Sequence, residues 1–210
     1  MSPKSRIDSL VPLLNEMRAD LGKQDMMTVA MLTGADLHGP NSLYLRLWDD
    51  EWLVSFPDAT IHGLTGQPCT PDKEVTLLYY LTHADGTTPA NRWVAFHDLP
   101  NGMFYAQAFQ GYSGNRLARF FVNNIEGFAE AAERVGGQRV EGGDAMYAFW
   151  PLPRLALAAQ YWRGDEEFAP RANILFDASA SHYLTTDGLA VLGSQLVSKL
   201  IKAPRAKYDM

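Results

Sequence analysis

The chain predicts an α+β fold: a largely antiparallel sheet covered by helices, with a C-terminal amphipathic helix. Three observations predict it. Hydrophobic periodicity switches between helical and strand spacing along the 210 residues, without the regular strand–helix alternation of a doubly wound sheet. Leu43, Leu45 and Leu47 alternate with Tyr44, Arg46 and Trp48, and a second run, residues 52–56, returns across an Asp49-Asp50 turn as a hairpin partner. Near the C-terminus, Leu189, Leu192, Leu196, Val197, Leu200 and Ile201 form the cleanest amphipathic stripe in the sequence.

Each element has its own local reason. Ile7, Leu10, Leu13, Leu14, Met17 and Leu21 recur at helical spacing, with Pro12 as a kink or late start and Gly22 as the stop. A short helix over 26–32 ends near Gly34. Thr70-Pro71-Asp72 supplies a capping hydroxyl, a proline at the first helical position and an acid in the first turn. The helix it starts shows Val75, Leu78, Tyr79 and Thr82 on one face, widened by Leu77 and Leu81. Strands are predicted over 92–97 and 103–109, with a turn over 98–102. Ser113 is placed as the cap of a helix carrying Leu117, Phe120 and Phe121. Asn123-Asn124 breaks that helix and caps the next, whose face is Ile125, Phe128, Ala132 and Val135 before Gly136-Gly137. Strands follow over 145–150 and 155–162, then the C-terminal helix from about Asp187.

No repeat, low-complexity stretch or linker divides the sequence. It reads as a single domain over 1–210, with a helical segment over about 1–34, an α+β core over about 43–203, and a split near Asn123 as the fallback. The formal net charge of −6 and the scattered Lys and Arg argue against a nucleic-acid partner, which needs clustered cations. The basic tail of Lys199, Lys202, Arg205 and Lys207 complements the dipole of a C-terminal helix. Cys69 is the only cysteine, so neither an intramolecular disulfide nor a four-thiolate metal site forms within the chain. The first residues are interrupted by Asp8, Asn15, Glu16 and Arg18, so no signal peptide is expected. No run reaches the ~20 apolar residues of a membrane span. The expectation is a cytoplasmic protein with no membrane partner.

Polar chemistry is densest between Trp162 and Tyr183. Asp165-Glu166-Glu167 brings three adjacent acids, and Asp177 closes the apolar run Ile174-Leu175-Phe176 ahead of Ser179, Ser181 and His182. Hard cations need converging oxygens, and Asp165, Glu166, Asp177 and His182 are the candidate ligands of a divalent metal. Neighbouring acids face opposite sides, so only one or two of the three reach a common ion. The same segment holds the residue types of a nucleophilic triad but lacks the G-x-S-x-G elbow; local Asp–Ser turn bonding is the simpler account. On that account Asp177 is the most buried acid of the segment, bonded by Ser179, Ser181 or backbone N–H groups. The five histidines, His38, His62, His83, His97 and His182, form no zinc pair, but a single one suffices as an axial donor to a tetrapyrrole metal. Gly63-Leu64-Thr65-Gly66 and Gly111-Tyr112-Ser113-Gly114 lack the Lys-Ser/Thr of a phosphate loop. Trp48, Trp52, Trp93, Tyr105, Phe109, Trp150 and Trp162 fall on predicted strands, where core packing explains most of them.

Several stretches resemble the domain-of-unknown-function family numbered 3786, found in anaerobic bacteria and archaea. They are Thr76-Leu77-Leu78-Tyr79-Tyr80-Leu81, Trp93-Val94-Ala95-Phe96, Tyr105-Ala106-Gln107-Ala108-Phe109, Gly164-Asp165-Glu166-Glu167-Phe168, and Ile174-Leu175-Phe176-Asp177 with Ser179, Ser181, His182, Tyr183 and Leu184. The resemblance runs from about Leu43 to Leu200 and implies a setting in anaerobic cofactor or electron-transfer metabolism, not a reaction. Some relatives resembled here are joined to a cysteine-rich iron–sulfur module of the kind seen near corrinoid proteins. With Cys69 alone this chain departs from that form and binds no such cluster by itself.

Three function classes stay open. The first is an accessory protein that holds a small ligand or cofactor, of the tetrapyrrole or corrinoid kind, in a pocket between the sheet and the C-terminal helix. Its ligand-binding candidates are Asp177, Ser179, Ser181, His182, Tyr183 and Trp162. The second is a metal-assisted hydrolase or lyase using Asp165, Glu166 and Asp177 with His182 as acid or base. The third is an interaction module with a protein partner in a larger complex.

Overall fold

The computed structural model describes residues 3–203, with side chains from residue 10 onward. Arg205 and Lys207, and the side chain of Ile7, lie outside the described residues. The fold is α+β, with two antiparallel sheets among the described residues, one of four strands and one of five. The chain divides into two compact units. One comprises Met1–Thr88, Pro151–Leu155 and His182–Leu184; the other comprises Pro89–Trp150, Ala156–Ser181 and Thr185–Met210.

In the first unit α1 (Pro3–Gly22) packs along α3 (Pro71–His83). α1 runs through Pro12 and buries Leu14, Met17 and Leu21. Glu74 of α3 is 5% exposed. Its Oε1 accepts from Arg18 Nε at 2.8 Å and Nη2 at 2.5 Å, so the buried carboxylate keeps a partner and escapes the cost of an unpaired charge. α2 (Met26–Thr33) starts where Asp25 accepts the Thr28 N–H at 2.8 Å, and ends at Gly34. The first sheet is a meander of β1 (Asp36–Leu37), β2 (Ser42–Leu47), β3 (Asp50–Ser55) and β4 (Thr60–Gly63), each paired to the next. Leu43, Leu45, Leu47, Trp52 and Val54 are buried, the alternation expected of a half-covered sheet. The pairing of Leu47 with Asp50 moves the turn back one residue, so Trp48 sits in it at φ 57 and not on the strand.

α3 departs from its predicted face. Val75, Tyr79 and Thr82 are only half-buried, while Thr76, Leu77, Leu78, Tyr80 and Leu81 are covered. The reason is Tyr80, whose hydroxyl donates to Thr33 O at 2.6 Å and accepts from Arg154 N at 3.0 Å; those bonds rotate the helix toward it. Thr70 precedes α3 but makes no side-chain cap bond.

The second unit contains β5 (Trp93–Ala95), α4 (Ala106–Tyr112), α5 (Gly114–Phe121), α6 (Ile125–Arg134), β6 (Gln138–Val140), β7 (Ala145–Leu152) except Pro151 and Leu152, β8 (Leu155–Trp162) except Leu155, β9 (Arg171–Asp177) and α7 (Thr186–Lys202). The second sheet has the order β5-β9-β8-β7-β6. β9 was readable only as an apolar run, yet it lies between β5 and β8. α5 packs on β9, and α4, α6 and α7 pack around α5 in turn. Asn124 caps α6 by accepting the Gly127 N–H at 2.9 Å. Thr185 caps α7 by accepting the Gly188 N–H, and the predicted stripe Leu189, Leu192, Leu196, Val197 and Leu200 is buried.

Two predicted strands are different in the structure. Over 92–97 the strand stops at Ala95, because Asp98 Oδ2 accepts the Ala95 N–H at 3.0 Å and pulls residues 96–98 into a 3-10 turn. Residues 103–109 are not a strand at all: a 3-10 turn, Gly102–Phe104, leads into α4. The alternation of Met103, Tyr105 and Phe109 imitates a strand, but Ala106, Gln107, Ala108 and Gln110 are good helix formers and they decide the outcome. Ser113 does not cap α5; its hydroxyl donates back to Phe109 O at 2.5 Å.

Candidate functional site

Asp177 ends β9 opposite Trp93 and is 2% exposed. Its Oδ1 accepts Ser179 Oγ at 2.6 Å, Ser179 N at 2.9 Å and Ala90 N at 2.9 Å. Burial pushes its carboxyl up, and the bonds from Ser179, Ala90 and the Asn91 backbone outweigh that, holding it below the ordinary carboxylate value. Asp177 and Ser179 are therefore brought together as a closed local network, as turn chemistry predicted. Ser181 is exposed.

His182 and Tyr183 belong to the other unit. His182 Nδ1 lies 2.7 Å from Asp85 Oδ2 and 3.2 Å from Thr87 Oγ1. The Thr87 hydroxyl, then the His182 ring, hold the Asp85 carboxyl down to about 2. Tyr183 is fully buried, donates its hydroxyl proton to Thr87 O and stacks on Tyr80 at 5.6 Å. Asp85 and Thr87 were missed in sequence because they stand 97 and 95 residues before His182, with no local pattern to mark them.

The acidic loop is a self-contained turn. Asp165 accepts the Glu167 N–H at 2.9 Å and the Phe168 N–H at 2.7 Å, and Glu166 and Glu167 are exposed. Trp162 carries the Arg171 guanidinium over its ring at 5.4 Å. Among the described residues, no group of three or more His, Cys, Asp or Glu side chains converges as metal ligands would. Burial pushes the Cys69 thiol up to about 12, which keeps it in the unreactive protonated form.

An open cavity of about 420 Å³ lies in the second unit, lined by Ala95, Phe96, His97, Ala106, Gln107, Phe109, Gln110, Asn173 and Ile174. Phe96 and Phe109 stack at 4.2 Å and 16° on one side of it, with Phe176 at 6.0 and 5.8 Å from them. Gln110 Nε2 is tied to Ala172 O at 2.9 Å. His97 is half-exposed; its Nε2 faces Asp98 Oδ1 at 3.4 Å. The wall thus combines aromatic and aliphatic surface with amides and one imidazole, and holds no carboxylate. That composition suits a flat ligand of low charge. The face of α7 toward β9 leaves less room: a Cβ on Gly193 would stand 2.8 Å from Phe109 and 3.4 Å from Ile174. His97 was visible in sequence only as one of five histidines. The signal that singles it out is the 3-10 turn, which the sequence disguised as strand.

A family model described as "Domain of unknown function (DUF3786)" matches residues 25–199. The chain belongs to that family. No curated protein and no solved structure matches it. The DUF3786 match covers both compact units and includes Asp85, His97, Asp177 and His182. No helix among the described residues is long and apolar enough to cross a membrane.

Proposed function

We propose that this DUF3786 protein is a cytosolic accessory protein of anaerobic metabolism that holds a flat ligand or cofactor, of the tetrapyrrole or corrinoid kind, in the cavity beside His97. The observation that carries the proposal is the cavity itself: about 420 Å³, walled by stacked Phe96 and Phe109, with an exposed imidazole at its edge. Its Nε2 faces the Asp98 carboxylate at 3.4 Å, an arrangement that orients a ligating imidazole, and Nδ1 would be the donor to the ligand's metal. Phe96, Phe109 and Ile174 supply the apolar surface, and Gln107 and Asn173 supply hydrogen bonds for peripheral polar groups.

Titration of the purified protein with haem and with cobalamin, followed by absorption, tests this. We expect saturable binding with a Kd below ~100 μM for at least one of them. His97→Ala should abolish the spectral shift without changing the thermal midpoint, because the side chain is half-exposed. Absence of any spectral change with both compounds removes the tetrapyrrole reading.

A second reading, a hydrolase or lyase, has one observation behind it. His182 is held by Asp85 at 2.7 Å, the base–orienter pair that acid–base catalysis uses. The metal-assisted form, with Asp165, Glu166 and Asp177 as ligands, has no converging set of three such side chains behind it among the described residues; elemental analysis with thermal shifts in magnesium, manganese, iron and zinc tests that form. The third, an interaction module, draws on Met103, Phe104 and Tyr105, three consecutive exposed apolar residues, Phe104 at 92%.

A further inference from the structure

A second cavity, of about 440 Å³, in the same unit shares no residue with the first. It is lined by Ile125, Glu126, Ala129, Arg139, Asp144, Ala145 and Arg163. Its wall carries two guanidinium groups and two carboxylates over an apolar base of Ile125 and Ala145, which are 8% and 4% exposed. Arg163 and Glu126 pair with each other across it. Arg139, on the edge strand β6, bonds the neutral Tyr147 hydroxyl opposite it but has no ion pair among the described residues, and neither has Asp144.

Asp144 is placed, not loose. It ends the four-residue connection from β6 to β7, in which Gly142 and Gly143 take φ 147 and 59. A Cβ on Gly143 would stand 2.6 Å from Tyr161 O, so glycine is what lets the loop lie against β8. There Asp144 N donates to Tyr161 O at 2.9 Å, and Asp144 Oδ2 accepts the Arg163 N–H at 2.7 Å. Oδ1 is left as an acceptor.

We propose that this cavity binds a small zwitterion, a free α-amino acid with an aliphatic side chain. The Arg139 guanidinium takes the ligand carboxylate, where a two-pronged contact suits the planar group. The Asp144 carboxylate takes the ammonium. Ile125, Ala129 and Ala145 receive the side chain. The internal Arg163–Glu126 pair frames the site and neutralises its remaining charges, which leaves one cationic and one anionic group for the ligand.

Isothermal titration of the full chain with L-valine, N-acetyl-L-valine and L-valinamide tests the assignment. L-valine should bind saturably with a Kd below ~1 mM. The acetylated form, lacking the ammonium, and the amide, lacking the carboxylate, should each bind at least about tenfold more weakly. Arg139→Gln and Asp144→Asn should each weaken L-valine to the same degree, with unchanged thermal midpoints; His97→Ala should leave it unaffected. If Arg139→Gln shifts the midpoint, Arg139→Lys replaces it, and its retained charge with lost two-pronged geometry should still weaken binding. No saturation by 10 mM L-valine, a concentration roughly tenfold above that Kd, overturns the proposal. So does equal affinity for N-acetyl-L-valine or L-valinamide, or unaltered affinity in the Arg139 variant.

Discussion

Phe109→Ala will lower the unfolding free energy by about 3–5 kcal/mol, the range for truncating a buried aromatic. Phe109 is 2% exposed and stacks on Phe96 at 4.2 Å, with Phe176 at 5.8 Å and the edge of Tyr112 at 5.5 Å. Its ring also occupies the space opposite Gly193 of α7. Truncation therefore removes the transfer energy of the ring and opens a void between α4, β9 and α7 that those elements fill only in part. Phe109→Leu keeps most of the volume and should cost clearly less, though it forfeits the stacking. Urea unfolding of the three proteins, with slopes checked for constancy, measures this. A loss under ~1 kcal/mol for the alanine variant means that the aromatic cluster is not the core of this unit. Because the same ring walls the cavity, haem or cobalamin binding should fall in the leucine variant even where stability is nearly kept.

Asp177→Ala will cost about 1–3 kcal/mol, because it strands donors that are buried with it. Ser179 N, Ser179 Oγ and Ala90 N all converge on one carboxylate oxygen. Asp177→Asn keeps an acceptor oxygen and should recover part of the loss. Asp165→Ala, by contrast, removes bonds from an exposed turn and should leave the unfolding midpoint within error of the parent. The acid dependence follows from the depressed carboxyl of Asp177. A folded-state pKa below the unfolded value contributes stability that is complete above the ordinary value of 3.8, and is lost as pH falls through the folded value. The stability gap between the parent and Asp177→Asn should thus be constant near neutrality and narrow below that value. Full stability in Asp177→Ala with loss of ligand binding would move Asp177 from scaffold to site.

Local periodicity was enough wherever an element's own residues decide its state. The buried stripe of α7, the Leu43–Leu47 alternation, the Asn124 cap and the stop at Gly34 each depend on neighbours within one or two turns, so the chain displays them directly. The burial of Asp177 was legible for the same reason: an acid closing an apolar run must find donors nearby, and Ser179 stands two residues on. Elements whose state depends on distant partners were not legible. Tyr80 turns the face of α3 toward Thr33 and Arg154, residues 47 and 74 positions away. β9 shows its rank only through pairing with β5 and β8.

The candidate sites divide along the same line. The α+β class, the family and the residue types on hand, with one cysteine, five scattered histidines and an acidic loop, are legible in the chain alone. Which of them meet is visible only once the chain is folded. Folding gave His182 to Asp85, confined Asp165 to its own turn, and put His97 on the wall of an aromatic cavity. The physical reason is that a turn or cap is settled by a few adjacent torsions, while a site is settled by which long loops close. Closure entropy rises only slowly with loop length, so spacing along the chain carries little information about which distant groups come together.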